Sequence, residues 1–531
     1  MKNVVILNRN WELSASRFVL LFSVFNTFLF NVSLYYYLNT NLDVLSVSGF
    51  TITASISTLI FILNVLTLSL LVLIAPSLPK IFLIVTTVIS SAALYFMNEY
   101  HVVLDLTMIG NIFNTRVSEA SQLLMSSTLF LYILFLGILP CFIIFRTRIV
   151  RLNRLRVFVN LLIVLVVGLT FILTNTSSWL WISKHRSMVR GQILPWSYVI
   201  NTARFTSAKL KGKDQPILLP DGKFSDNRKT VIVLVIGESA RAEDFSLFGY
   251  YRDTNPRLEA EGVLAFNETR SCATYTTASV ACILAPGEDK DNYENLPSYL
   301  TRLGADTIWR ANNWGEHDVH VDDYKTMGEV EKNCTPGTCA LDEYLLSGLK
   351  QRIESSDKQK VFVVLHTDGS HGPSYYTRYS PDFEKFKPVC RHEELSKCTH
   401  QEFINAYDNS IVYTDYFLDK TISMLKELDN TPSMLVYISD HGESLGEKGL
   451  YLHGMPYAFA PKYQKTVPFI IWRSKEFIKY QGVPSQDINQ SGNFSQADIF
   501  HTIIGGFRVK TKAYVKSLDV LQPNRVAIKG D

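Results

Sequence analysis

The sequence predicts a helical membrane domain of five spans followed by a doubly wound α/β domain with a mostly parallel central sheet. Three observations predict it. Charged side chains are scarce before Arg146 and common after about Lys184, although hydrophobic residues average 47% of the chain. Apolar, β-branched runs of strand length recur at 231–236, 361–365 and 434–438. Six of the seven cysteines lie beyond the apolar half and fall into close pairs. A length of 531 residues suits two such units.

The spans come first. Residues 18–38, 52–74, 81–97, 123–145 and 157–173 carry no charge, and each is near the roughly 20 residues a bilayer demands. Five in succession without an amphipathic face argue against buried helices of a soluble core. The first stretch is too long for a signal peptide and lacks a small-residue cleavage site, so it is expected to be retained.

Orientation follows from the short loops. Arg146, Arg148, Arg151, Arg154 and Arg156 separate the last two stretches without an intervening acid, which places that loop in the cytoplasm. Lys80 and the N-terminal Lys2, Arg9 and Arg17 then share its side. An odd number of spans sends everything after Leu173 outward, into the periplasm of a Gram-negative cell. The cysteines agree. Cys272 with Cys282, Cys334 with Cys339 and Cys390 with Cys398 need only local loop closure, and an oxidising compartment favours disulfides. No Cys-x-x-Cys occurs, which argues against a thiolate metal site.

The expected organisation is a membrane domain at 1–174, an interfacial linker at 175–229 and a soluble domain at 230–531. The linker holds Trp179, Trp181 and several basic residues suited to head groups or simply to solvent. The loop at 98–122, with Asp105, Asn111, Thr115 and Glu119, reads as a partly helical segment over the outer face, able to meet a substrate head group. A net charge of +3 gives no sign of a nucleic-acid partner; membrane lipids are the expected surroundings.

In the soluble domain, continuous apolar strands indicate burial on both faces and hence a parallel sheet between helices. Each run ends in metal-binding residue types: Glu238 and Ser239, then His366 and His371, then Asp440, His441 and Glu443. Ligand sites of open α/β sheets form outside the carboxyl ends of strands, where distant residues converge. With His453 in a short loop beyond, a site for one or two zinc ions is expected, although oxygen and imidazole donors also admit manganese. The segment 271–279, bracketed by Cys272 and Cys282, supplies hydroxyls for a nucleophile. Chemistry alone does not choose among Thr274, Thr276 and Thr277.

Several motifs carry a resemblance. Gly237-Glu238-Ser239-Ala240-Arg241, Phe248-Gly249-Tyr250, Arg252-Asp253-Thr254-Asn255-Pro256 and Cys272-x-x-x-Thr276 are similar to those of phosphoethanolamine transferases. So are His371-Gly372-Pro373, Ala406-Tyr407-Asp408-Asn409-Ser410, Ser439-Asp440-His441-Gly442-Glu443-Ser444 and His453-Gly454-Met455-Pro456. The chain most resembles the lipid A-modifying branch, which includes the mobile colistin resistance enzymes, within the alkaline phosphatase and sulfatase superfamily.

The resemblance implies that Glu238, Thr276, Asp440 and His441 hold the catalytic Zn2+, with Thr276 as nucleophile. His371 and His453 match positions for a second metal or the substrate phosphate. Asn313 would contact the phosphoethanolamine group, with His317 beside it; His366, at its strand end, and Glu119, in the outer loop, are read from their positions as further substrate contacts. His317 stands where the family often has lysine, and Ser279-Val280-Ala281-Cys282 departs from its usual Ser-Val-Pro-Cys. The implied reaction takes phosphoethanolamine from phosphatidylethanolamine to a lipid A phosphate through a phosphothreonine, in a monomer at the bacterial inner membrane, and gives polymyxin resistance. Transfer to core sugars or another periplasmic glycan is the alternative expectation, with a membrane phosphodiesterase behind it.

Overall fold

A computed structural model describes residues 11–114, 126–150, 152–174, 181–182, 185–210, 215–288, 292–313, 319–330, 341–392 and 397–523. Glu119, His317, Cys334 and Cys339 lie outside the described residues. The chain divides into two units, Met1–Lys211 and Gly212–Asp531.

The first unit is helical. Its apolar helices are α1 (Ala15–Leu29), α2 (Val32–Asn41), α3 (Val47–Ile74), α4 (Leu78–Glu99), α5 (Ser127–Arg146) and α6 (Arg154–Thr174). Among the described residues, four are long and apolar enough to cross a membrane, and five spans result when α1 and α2, bent by 52°, count as one. The bend has a cause in Asn31. Its buried amide donates to Asn26 O at 3.0 Å and Leu194 O at 3.1 Å, and accepts from Leu194 N at 2.9 Å. The side chain thereby takes a carbonyl that a continuous helix would use for its own ladder.

A second polar link follows the rule that buried polar groups need partners in apolar surroundings. Asn64 Nδ2 donates to Thr27 Oγ1, and Asn64 Oδ1 accepts from the indole of Trp196, the first residue of α7 (Trp196–Leu210). At one end of the bundle, Trp11–Ser14 pairs in parallel with Thr147–Val150, joining the N-terminal segment to the basic loop between α5 and α6.

The second unit is built on seven strands: β1 (Thr230–Gly237), β2 (Leu264–Phe266), β3 (Asp306–Ala311), β4 (Asp323–Thr326), β5 (Lys360–His366), β6 (Ser433–Ser439) and β7 (Phe469–Arg473). Their spatial order is β2-β7-β6-β1-β5-β3-β4. The pairings from β6 to β4 are parallel, and β7 and β2 add an antiparallel edge. Val231, Val233 and Val235 face one buried cluster with α9 (His400–Lys426), whereas Ile232, Leu234 and Ile236 face another with α10 (Asp498–Gly506). Burial on both faces explains why the strand reads as an unbroken apolar run.

The three runs expected as strands are β1, β5 and β6, the neighbouring centre of the sheet. Strand β3 escaped that reading because it carries Asp306 and Arg310. The Arg310 guanidinium is buried, and its Nη1 donates to Leu345 O and Ser347 O, so backbone carbonyls take up part of its polarity inside the fold.

Candidate metal and nucleophile site

Register aligns the carboxyl ends of the central strands. Gly237 pairs with Ser439, and His366 lies opposite both Ile236 and Ala311. The residues that follow, Glu238, Asp440, His441 and Asn313, therefore leave the sheet side by side. All four are buried.

Glu238 is the centre. Its Oε2 accepts from Thr276 Oγ1 at 3.2 Å and Asn313 Nδ2 at 2.7 Å, while Oε1 accepts from Ser239 Oγ at 2.8 Å. His441 Nε2 stands 3.4 Å from Glu238 Oε1 and 3.2 Å from Asp440 Oδ2. Asp440 Oδ1 accepts from the Ser239 and His441 amides, which fixes the carboxylate. Asp440 Oδ2 and His441 Nε2 are buried and form no hydrogen bond. His441 Nδ1 faces Gly442 O at 3.0 Å, so this nitrogen carries the proton and Nε2 presents a lone pair inward.

The charges are unbalanced. Burial acts to raise the Glu238 carboxyl, but His441, His371 and His453 around it hold it below the ordinary carboxylate range. Burial and the facing Glu238 push Asp440 well up. Burial, then the neighbouring His453, lowers His441 to about 3, so its ring is neutral. Two adjacent buried carboxylates beside a neutral imidazole and two unpaired donor atoms fit a cation. Glu238, His441 and His453 place one donor atom each within 4.8 Å of one another.

His453 arrives on the loop after β6. Its Nδ1 lies 3.0 Å from buried Glu443 Oε2, the carboxylate–histidine arrangement that leaves Nε2 for a ligand. Burial disfavours its charge, but Glu443 outweighs that and raises His453 above its ordinary value. His371 follows β5, with its ring centre 5.8 Å from that of His453. Arg378 donates to His371 O at 2.8 Å and ion-pairs with Asp368. The fold thus brings His371 and His453 together at the edge of the Glu238 group. His366, by contrast, packs edge-on against Trp309, with its carbonyl accepting from Asn312 N.

Geometry separates two of the three candidate hydroxyls of the loop. Thr276 opens α8 (Thr276–Ile283), bracketed by the Cys272–Cys282 disulfide. Thr274 turns the other way: its Oγ1 donates to Met455 O at 2.6 Å, and its carbonyl accepts from Gly454 N at 2.9 Å. Of these two hydroxyls, it is that of Thr276 that reaches Glu238, while Thr274 ties the disulfide-bracketed loop to the His453 loop. The Cys390–Cys398 disulfide also forms, remote from this chemistry in sequence.

Sequence reasoning placed Ser239 and Glu443 in the strand-end motifs without giving either a specific role, and did not single out Arg378. Ser239 has φ +55°, a left-handed turn for a non-glycine residue directly after the strand. Tyr407 clamps that turn, donating to Ser239 O and accepting from Arg241 N. Gly369, at φ +49°, passes so close to the Glu238 backbone that a Cβ would sit 2.8 Å from its nitrogen and oxygen. The only forewarning was the proximity of these residues to the strand-end motifs.

A family model described as Sulfatase matches residues 230–508, and one described as Phosphoethanolamine transferase EptA/EptB matches residues 60–210. Phosphoethanolamine transferase EptA of Helicobacter pylori is 38% identical over 460 residues, covering 85% of this chain and 86% of that one. Phosphatidylethanolamine transferase Mcr-1 of Escherichia coli is 33% identical over 426 residues, covering 74% and 78%. The solved integral membrane lipooligosaccharide phosphoethanolamine transferase A (EptA) from Neisseria meningitidis superposes with a TM-score of 0.86 at 26% identity, over 96% of this chain and 99% of that chain. A helical membrane region joined to a sulfatase-type α/β domain, with matches of this extent, means that the chain belongs to the EptA/EptB family of phosphoethanolamine transferases.

Proposed function

We propose that this transferase moves phosphoethanolamine from phosphatidylethanolamine to a phosphate of lipid A through a covalent intermediate on Thr276. The observation that carries the reading is the Thr276 hydroxyl on Glu238 Oε2, beside the unpaired Asp440 Oδ2 and His441 Nε2. Glu238, Asp440, His441 and Thr276 would hold a zinc ion. Bound there, zinc would supply positive charge that acidifies the hydroxyl it touches and offsets charge on the phosphoryl group.

The chain's own residues account for the rest. Thr276 Oγ1 forms a bond to phosphorus as the bond to the diacylglycerol oxygen breaks. Its proton begins on the hydrogen bond to Glu238 Oε2. Asn313, oriented by donating to Glu238 and Thr367 O, is placed to contact the phosphoethanolamine group. His453, whose Nδ1 faces Glu443 Oε2, is placed to deliver a proton to the departing diacylglycerol oxygen, with His371 beside it to balance phosphoryl charge. A lipid A phosphate oxygen then attacks phosphorus of the phosphothreonine as the bond to Thr276 Oγ1 breaks; Thr276 takes back the proton it passed to Glu238 Oε2, and His453 recovers its proton from the hydroxyl of the attacking phosphate. Two in-line displacements give retention at phosphorus.

The substrate assignment draws on relatives whose names specify a phosphatidylethanolamine transferase and a lipooligosaccharide phosphoethanolamine transferase. The basic loop between α5 and α6 supports a cytoplasmic N-terminus, and the disulfides support a periplasmic catalytic domain. Each added ethanolamine offsets phosphate charge, which would weaken binding of cationic peptides such as polymyxin. The test is intact-mass analysis after incubation with phosphatidylethanolamine, together with mass spectrometry of lipid A from cells with and without the protein. A phosphoethanolamine adduct that persists in Thr276→Ala would sink the nucleophile. Unchanged lipid A would sink the acceptor.

A further inference from the structure

Gln496 lies wholly buried, and its side-chain hydrogen bonds go to the backbone of the two halves of the site. Its Nε2 donates to Ser439 O at 2.8 Å and Asp440 O at 2.6 Å, two successive carbonyls of the turn that presents Asp440 and His441. Its Oε1 accepts from Cys272 N at 2.8 Å, the amide at the start of the disulfide-bracketed loop carrying Thr276. Both protons and the oxygen of the carboxamide are thus committed.

The backbone of Gln496 is itself pinned. Phe494 and Ser495 pair in parallel with Thr269 and Arg270, and Gln496 N donates to Arg270 O at 3.2 Å. Its carbonyl accepts from Ile499 N in the first turn of α10. A side chain held at its root and satisfied at its tip acts as a spacer of fixed length. We infer that Gln496 is a positioning residue that sets the Thr276 hydroxyl against the Glu238–Asp440–His441 group. The inference rests on the reading of Thr276 as nucleophile.

The chemistry of the amide is specific to this role. Methionine matches its length and flexibility but leaves two buried carbonyls and one buried N–H without their partner. Glutamate keeps an acceptor for Cys272 N, yet sets negative oxygen against Ser439 O and Asp440 O. Either change lets the metal turn and the nucleophile loop drift apart while the strands stay buried.

The experiment uses the full chain in detergent, loaded with zinc and given phosphatidylethanolamine. Wild type, Gln496→Met and Gln496→Glu are compared for single-turnover adduct formation on Thr276, kcat, KM and thermal unfolding. Lys360→Met serves as the structural control, since Lys360 is buried at the opposite end of β5 and donates to Asp226, Arg228 O and Thr230. Both Gln496 variants should slow adduct formation and kcat by about 10- to 100-fold with KM within twofold of wild type, as expected for misplacement of reacting groups. Lys360→Met should lower the unfolding temperature and leave kcat in place.

Gln496 variants with wild-type adduct rates overturn the inference while the nucleophile reading stands. So does a loss of kcat in Lys360→Met that matches its loss of stability, or failure of both Gln496 variants to fold, since either makes the amide merely structural. Absence of the adduct in wild type overturns the nucleophile reading instead.

Discussion

Thr276 Oγ1 sits 3.2 Å from Glu238 Oε2, a contact across 38 residues of sequence that joins the first turn of α8 to the carboxyl end of β1. The same carboxylate oxygen takes Asn313 from β3, so one atom gathers three elements of the fold. A threonine hydroxyl in this position is oriented before substrate arrives. Replacement by serine keeps the hydroxyl but frees its rotamer, and should cost about 10-fold in kcat. Thr276→Ala should reduce transfer to background, read as diacylglycerol release from labelled phosphatidylethanolamine.

Chelation supplies a second test. Removal of the proposed zinc would leave Glu238 and Asp440 as adjacent buried acids, so metal-free protein should show lower thermal stability as well as lost transfer. Zinc should restore both. A metal-free protein with unchanged unfolding temperature would argue that no ion resides between these residues.

Glu443→Gln probes the partner of His453. The substitution keeps the shape but removes the charge that holds Nδ1 protonated at 3.0 Å. Loss of such an outer partner should lower zinc affinity or transfer by about 10- to 100-fold. Competition with a chromogenic chelator and initial-rate assays separate the two effects.

Asp408 gives a pH signature remote from the proposed ligands. Burial, then the charge of Asp244, raises its carboxyl from 3.8 to about 7, despite hydrogen bonds from Tyr250 and Arg252. Between those values the native chain holds a proton that the unfolded chain has lost, so rising pH removes stability across this window. The unfolding temperature of the wild type should fall from pH 5 to 7.5, and Asp408→Asn should flatten that slope. An equal slope in both proteins would remove Asp408 as its source.

In the membrane unit, Asn31→Leu removes an amide with three hydrogen bonds and strands the Leu194 N–H and C=O in apolar surroundings. A loss of about 2 kcal/mol or more is expected from unsatisfied buried groups of this kind. Thermal unfolding in detergent measures it.

What the sequence determined by itself follows from local physics. Transfer of side chains to hydrocarbon is close to additive along a segment, so uncharged stretches mark the apolar helices without knowledge of their neighbours. Burial on both faces leaves an unbroken apolar run, so β1, β5 and β6 were legible, and with them the strand-end placement of Glu238, His366 and Asp440. Where polarity is satisfied by distant partners, local pattern is silent. Arg310 hides inside β3 because Leu345 and Ser347 receive it, and the break between α1 and α2 depends on Leu194, 163 residues beyond Asn31. The choice between Thr274 and Thr276 is of the same kind. The two carry identical hydroxyls two positions apart, and only the tertiary structure decides that one meets Met455 and the other Glu238.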